Sequence, residues 1–190
     1  MYNLSEQVDN FIFSLEKSGY ETMKYLPNQN WKPGDPIYYS GPYWDNREVT
    51  AAITTLLGGQ WLPAGENVNK FERAFSKKFD FKHSVMVNSG SSANLVMIAA
   101  LKKYFDWHDG DEIIVCACGF PTTINPIIQN GLKPVFVDID MEDLNWSLEQ
   151  LENKLTPKTV ACFSSPVLGN PYDFDKFFEI LDRNRLHYIA

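Results

Sequence analysis

The chain has 190 residues, 44% hydrophobic and 14% aromatic, long enough to bury a core as one domain or as one domain with a small appendage. Its 17 basic and 24 acidic residues give a formal charge of -7 with no run rich in Lys or Arg, which argues against nucleic acid or an anionic membrane as partner. The first twenty residues lack the charged and apolar regions of a secretory signal, and no apolar run is long enough to cross a membrane, so a soluble, cytoplasmic protein is expected.

Val8, Ile12 and Leu15 recur at helical spacing and predict a first helix. Pro27, Pro33, Pro36 and Pro42 then break any regular element in a stretch rich in Gly, Asn and aromatics. Residues 1–45 therefore read as a helix followed by an irregular arm, and residues 46–190 as an α/β domain. Val49, Ile53, Leu56 and Leu57 share one helical face that ends at Gly58-Gly59. Val68, Phe71 and Phe75 face one way on a second amphipathic helix.

From residue 84 a rhythm sets the fold class. Apolar runs suited to buried strands occur at 84–87, 112–116, 134–138, 159–163 and 187–190, with a helical stretch in each interval. That alternation predicts a mostly parallel sheet with helices on both faces. Residues 92–105 are apolar nearly all round and predict a buried helix. The next helix carries Pro126 early and closes at Gly131; Ser147 and Gln150 form a capping-box pattern; Phe174, Phe177, Phe178 and Leu181 make a helical stripe behind Asp173.

Two loops after strands hold the candidate site, because ligands of parallel sheets collect beyond the carboxyl ends of the strands. The first is VNSGSSANL, residues 87–95. Gly90 lets an anion approach the start of a helix, Ser91 and Ser92 offer hydroxyls, and Asn88 and Ser89 suit a turn or cap. On these residues alone an anion site and an ordinary capped helix stay equally open. The second loop is CACGFPTTINP, residues 116–126, in which Phe120 either stacks on a flat ligand or folds back into the core. Neither a P-loop nor a dinucleotide-binding glycine fingerprint is present. Cys116, Cys118 and Cys162 lack the second pair of a zinc site and read as buried thiols, with no metal expected. A third loop, PVLGNPYD at residues 166–173, follows the fourth run.

Taken in order and at this spacing, VNSGSSANL, GFPTTINPIIQNGLKPVFVDID and LGNPYDFD resemble the DegT/DnrJ/EryC1/StrS family. YYSGPYWDNREVTAAI, WLPAG and FERAFSKKF fit its N-terminal part, so the likeness covers roughly residues 37–190. The resemblance implies the large domain of a fold-type I enzyme dependent on pyridoxal 5'-phosphate (PLP), truncated, acting on a nucleotide-linked 4-keto-6-deoxy sugar. Within the family the motifs look most like the 3-dehydratase branch, with the aminotransferases as sister branch. It implies that Gly90, Ser91 and Ser92 hold the cofactor phosphate and that Phe120 stacks on the pyridine ring. A homodimer is implied for the full-length protein.

Two departures qualify the resemblance. Pro166 stands where members often carry a His three residues before the Gly of GNP. The family's Asp at the pyridine nitrogen, and its later Lys or the His of dehydratases, would follow Ala190, so the sequence is expected to be the N-terminal portion of a longer enzyme, with no catalytic residue of its own. The alternative expectation is a non-catalytic α/β fragment that serves as a dimerisation or partner module.

Overall fold

The computed structural model describes residues 3–17, 32–35, 46–59, 65–166 and 169–190. Most of the proline-rich arm, the WLPA stretch and Val167 and Leu168 of the third loop lie outside the described residues. The chain divides into two compact units, residues 1–84 and 85–190.

The first unit holds helices α1 (Leu4–Lys17), α2 (Asn46–Leu57) and α3 (Glu66–Phe79). Val8 and Ile12 of α1 are buried, as their spacing predicts. The hydroxyl of Thr50 on α2 donates to the Asp9 carboxylate of α1, which ties the two helices together. Helix α2 stops ahead of Gly59, whose φ of 62° suits glycine. On helix α3, Phe71 and Phe75 face one way as expected: they are exposed and form a row of rings with Phe79 and Phe81.

The second unit is a parallel sheet of β1 (Glu112–Cys116), β2 (Lys133–Val137), β3 (Thr159–Phe163) and β4 (His187–Ile189), in the order β2-β1-β3-β4. Around it run α4 (Gly90–Tyr104), α5 (Pro121–Gln129), α6 (Leu148–Asn153) and α7 (Phe174–Asn184). Alternation along the central strands feeds two cores. Ile113, Val115, Ala161 and Phe163 face Ile98 of α4 and Ile127 of α5. Ile114 and Cys162 face Leu151 of α6 and Phe177 and Leu181 of α7. Both faces are therefore covered, which is why β1 and β3 read as unbroken apolar runs.

Two expectations for this unit fail. Residues 84–87 are not a strand: no ladder joins them to the four strands, and Val85 is 77% exposed. A strand needs a hydrogen-bonded neighbour, and among the described residues β2 and β4 each pair on one side only. Nor is α4 a buried helix: Ile98 is its one fully buried residue, while Leu95 and Val96 are exposed. An apolar sequence all round the helix gives burial only where a second layer covers its outer face.

The caps follow the sequence more closely. Asp173 Oδ1 accepts from the Lys176 amide at 3.1 Å, and Ser147 Oγ accepts from the Gln150 amide at 3.3 Å. The capping box is only half made, because Gln150 Oε1 accepts from the Asp138 amide instead of reaching back to Ser147.

Candidate functional site

The strand order locates the cleft. From β1 the chain crosses to β2 on one side, and from β2 it returns past β1 to β3 on the other. Loops leaving β1 and β3 thus part in opposite directions and open a crevice beyond their carboxyl ends. A cavity of about 370 Å³ lies there, lined by Cys116 and the loop after β1, and by Phe163 through Pro166 after β3.

Helix α4 starts beside this edge. Ser89 is its N-cap: Oγ accepts from the Ser92 amide at 3.2 Å, and the Ser89 carbonyl accepts from the Ala93 amide at 3.0 Å. The amides of Gly90 and Ser91, earlier in the turn, have no acceptor among the described residues. Ser89 Oγ also lies 3.2 Å from Ser92 Oγ as donor, which leaves the Ser92 proton free to donate outward. A β-carbon at Gly90 would meet nothing within 4 Å, and its φ is not in the left-handed region. No contact within the protein therefore calls for glycine there.

Phe120 is the N-cap residue of α5 and is 71% exposed on the cavity wall. The reading in which it folds into the core is thus excluded. Pro121 follows at the first helical position, where its missing N–H costs nothing. Pro126, expected early in this helix, instead lies inside it and is buried. Having no N–H, it deprives the Thr122 carbonyl of its helical donor. Asn94 supplies the replacement: its Nδ2 donates to Thr122 O at 3.0 Å. One side chain thereby fastens the first turn of α4 to the first turn of α5.

Of the four residues singled out from sequence, only Phe120 lines the cavity; Gly90, Ser91 and Ser92 do not, but Asn94, one turn beyond Gly90, does. Among the described residues the wall carries no charged side chain, and the start of α5 lines it through Phe120, Thr122 and Thr123, so the positive end of that helix borders the cavity. Sequence reasoning missed Asn94, Ser164, Ser165, Asn145 and Trp146. The two serines directly follow β3, and the rule that picked the other loops could have found them. Asn145 and Trp146 reach the wall through an isolated bridge between Trp146 and Ile139, which no local pattern announces. The thiols also divide: Cys162 is fully buried and its thiol is pushed up to about 12 by burial, but Cys116 is half-buried and Cys118 exposed, both on the cavity wall.

A parallel sheet covered on both faces, with a cleft at its switch point beside the start of α5, defines an α/β protein of the class whose ligands collect beyond the carboxyl ends of the strands. The chain belongs to the DegT/DnrJ/EryC1/StrS aminotransferase family, whose model matches residues 44–190. It is 43% identical to the GDP-4-keto-6-deoxy-D-mannose 3-dehydratase of Yersinia pseudotuberculosis over 73% of this chain and 36% of that protein. It is 31% identical to lipopolysaccharide biosynthesis protein RfbH of Salmonella typhimurium, over 98% of this chain and 42% of that one. The solved structure of E. coli GDP-4-keto-6-deoxy-D-mannose 3-dehydratase with bound hydrated PLP superposes with a TM-score of 0.70 at 41% identity, covering 78% of this chain and 38% of that one. The chain thus spans well under half the length of these relatives.

Proposed function

We propose that this chain provides the phosphate- and ring-binding part of a PLP-dependent enzyme that acts on nucleotide-linked 4-keto-6-deoxy sugars. The reading places it in the cytoplasm, in deoxysugar and surface-polysaccharide biosynthesis, as part of a homodimer. C3 dehydration is preferred over amino transfer, because relatives named as 3-dehydratases match at 37% to 44% identity.

The observation that carries the reading is the start of α4. Two amides without acceptors among the described residues, the hydroxyl-bearing Ser91 and Ser92 and the positive end of a 15-residue helix lie beside a glycine whose β-position is open. That donor set suits a phosphate dianion, and a side chain at Gly90 would stand where the anion approaches. The fit extends to the ring, because the exposed face of Phe120 is available for stacking next to an uncharged cavity. Gly90 and Ser91 would bind the phosphate through their amides, Ser91 and Ser92 through their hydroxyls. Phe120 would orient the ring and exclude water from one face. PLP, when bound, supplies the conjugated ring that draws electron density from the substrate carbon. Asn94 would hold the phosphate end and the ring end of the site at a fixed spacing.

The test is PLP binding followed by absorbance, with Phe120→Ala and the double variant Ser91→Ala/Ser92→Ala beside the parent. Binding by the parent with at least tenfold loss in each variant, about 1.4 kcal/mol, is expected. Equal affinity across the three proteins would refute the assignment.

A further inference from the structure

Among the described residues, two buried side-chain polar atoms have no hydrogen-bond partner: Thr54 Oγ1 in the first unit, and Nε1 of Trp146, a residue of the cavity wall. A threonine hydroxyl rotates toward whatever acceptor comes within reach, but an indole N–H points where its ring points. The Trp146 ring is itself held in place. It is 2% exposed, its centroid lies 5.1 Å from that of Phe177 and 5.8 Å from that of Tyr172, and its backbone bridges to Ile139. The core offers the N–H no partner. The Tyr172 hydroxyl is bonded to that of Tyr188 at 3.2 Å instead, and Ile114, Val137, Leu151 and Phe177 of the same cluster carry no side-chain acceptor. A buried tryptophan N–H ordinarily has a partner, and one left unpaired in a native fold calls for a reason. On the cavity side, by contrast, the wall next to Trp146 is polar, with Asn145, Ser164 and Ser165. We propose that Trp146 is a ligand-orienting residue of this cavity, whose indole N–H donates to a carbonyl or phenolic oxygen carried by the ring that stacks on Phe120.

The assignment rests on the PLP-binding function proposed above and adds a direction to it. Stacking on Phe120 sets the plane of a flat ring but tolerates rotation within that plane. One fixed donor removes that freedom. Because an indole N–H donates and never accepts, it selects an oxygen with a free lone pair. A hydrocarbon edge or an ammonium group would leave it as unpaired as before, so the same contact discriminates between ligands. PLP carries two suitable oxygens on its ring, the phenolic and the aldehyde oxygen. Nε1 is also closed to bulk water, so a bond made there does not compete with solvent.

The test follows the indole N–H directly. Protein labelled with ¹⁵N at tryptophan is titrated with PLP, and the Trp146 signal is assigned through its own backbone. At saturation that signal should move downfield and exchange with solvent more slowly. Trp146→Phe keeps a ring in the core and deletes the donor, and its PLP affinity should fall about fivefold or more, as loss of one hydrogen bond requires. Phe177→Leu trims the same cluster and spares the N–H, so it should bind PLP within about twofold of the parent. That pair separates a lost hydrogen bond from a loosened core. Should Trp146→Phe fail to fold, the indole signal of the parent decides alone. A Trp146 signal unmoved at saturation, or equal losses of affinity in the two variants, would overturn the assignment. Unchanged PLP affinity in Trp146→Phe would overturn it as well and leave the proposed function standing. Failure of PLP to bind the parent would defeat the proposed function, and this inference with it.

Discussion

Asn94 is where fold and site meet, and its contribution is open to a double-mutant cycle. Pro126 leaves the Thr122 carbonyl without a helical donor, and Asn94 Nδ2 fills the gap at 3.0 Å. Asn94→Ala removes one hydrogen bond and strands a carbonyl on a half-buried residue. The expected loss is about 1–2 kcal/mol, a net hydrogen bond plus part of the penalty for an unpaired buried acceptor. In a Pro126→Ala background the new amide at position 126 bonds Thr122 O itself, so Asn94→Ala should then cost no more than about 0.5 kcal/mol. Pro126 is buried, so its replacement has a packing cost of its own, but the cycle subtracts it and leaves a coupling of about 1 kcal/mol. Urea denaturation of the four proteins measures that coupling. Additivity within roughly 0.3 kcal/mol would show that Asn94 does not stand in for the missing proline N–H.

Three further outcomes follow from named contacts. Gly90→Ala meets no atom within 4 Å and improves helix propensity, so stability should hold or rise by up to about 1 kcal/mol while PLP affinity falls; a parallel loss of stability in thermal melts would contradict the open position. Gly131 has φ +75°, and a β-carbon there would lie 2.6 Å from Asp109 Oδ1, so Gly131→Ala should cost about 1–3 kcal/mol by urea titration, and an unchanged midpoint would refute the strain argument. Glu112 is buried and accepts from Thr156 Oγ1 at 2.6 Å and Lys133 Nζ at 2.9 Å, and these hold its carboxyl below the ordinary 4.5. A carboxylate with a depressed folded pKa stabilises the fold above its unfolded pKa, and that contribution fades as pH falls through the folded value. Below about 4.5 the parent should therefore lose stability more steeply than Glu112→Gln, and identical slopes in acid titrations followed by circular dichroism would count against the pairing.

The sequence was informative wherever the physics was local. Strands β1 to β4 were legible because both faces of each central strand feed a core, and the caps at Ser147 and Asp173 because a cap depends on residues three apart. Residues 84–87 look like a strand by composition, but a strand is a pairing and no run of residues names its partner. The outer face of α4 misled in the same way, since apolar character states a preference for cover without supplying it. In the site, the rule of carboxyl strand ends found Phe120, which follows β1; it reached the start of α4 only through residues 84–87, which form no ladder with the four strands. It could not order the wall, because Asn94 enters through a carbonyl freed by Pro126 and Trp146 through a bridge to Ile139. The cysteines show the limit of composition: Cys162 is the buried thiol expected, and Cys118, expected buried as well, is exposed.

The most direct measurement of the central claim is a ¹⁵N-labelled titration with PLP, read at the amides of Gly90 and Ser91. If a phosphate docks on the opening turn of α4, those two signals move furthest, saturate together with that of Phe120, and exchange more slowly with solvent. If PLP saturates the protein while the Gly90 and Ser91 amides keep their shifts and exchange rates, the anion lies elsewhere and the proposed site is wrong.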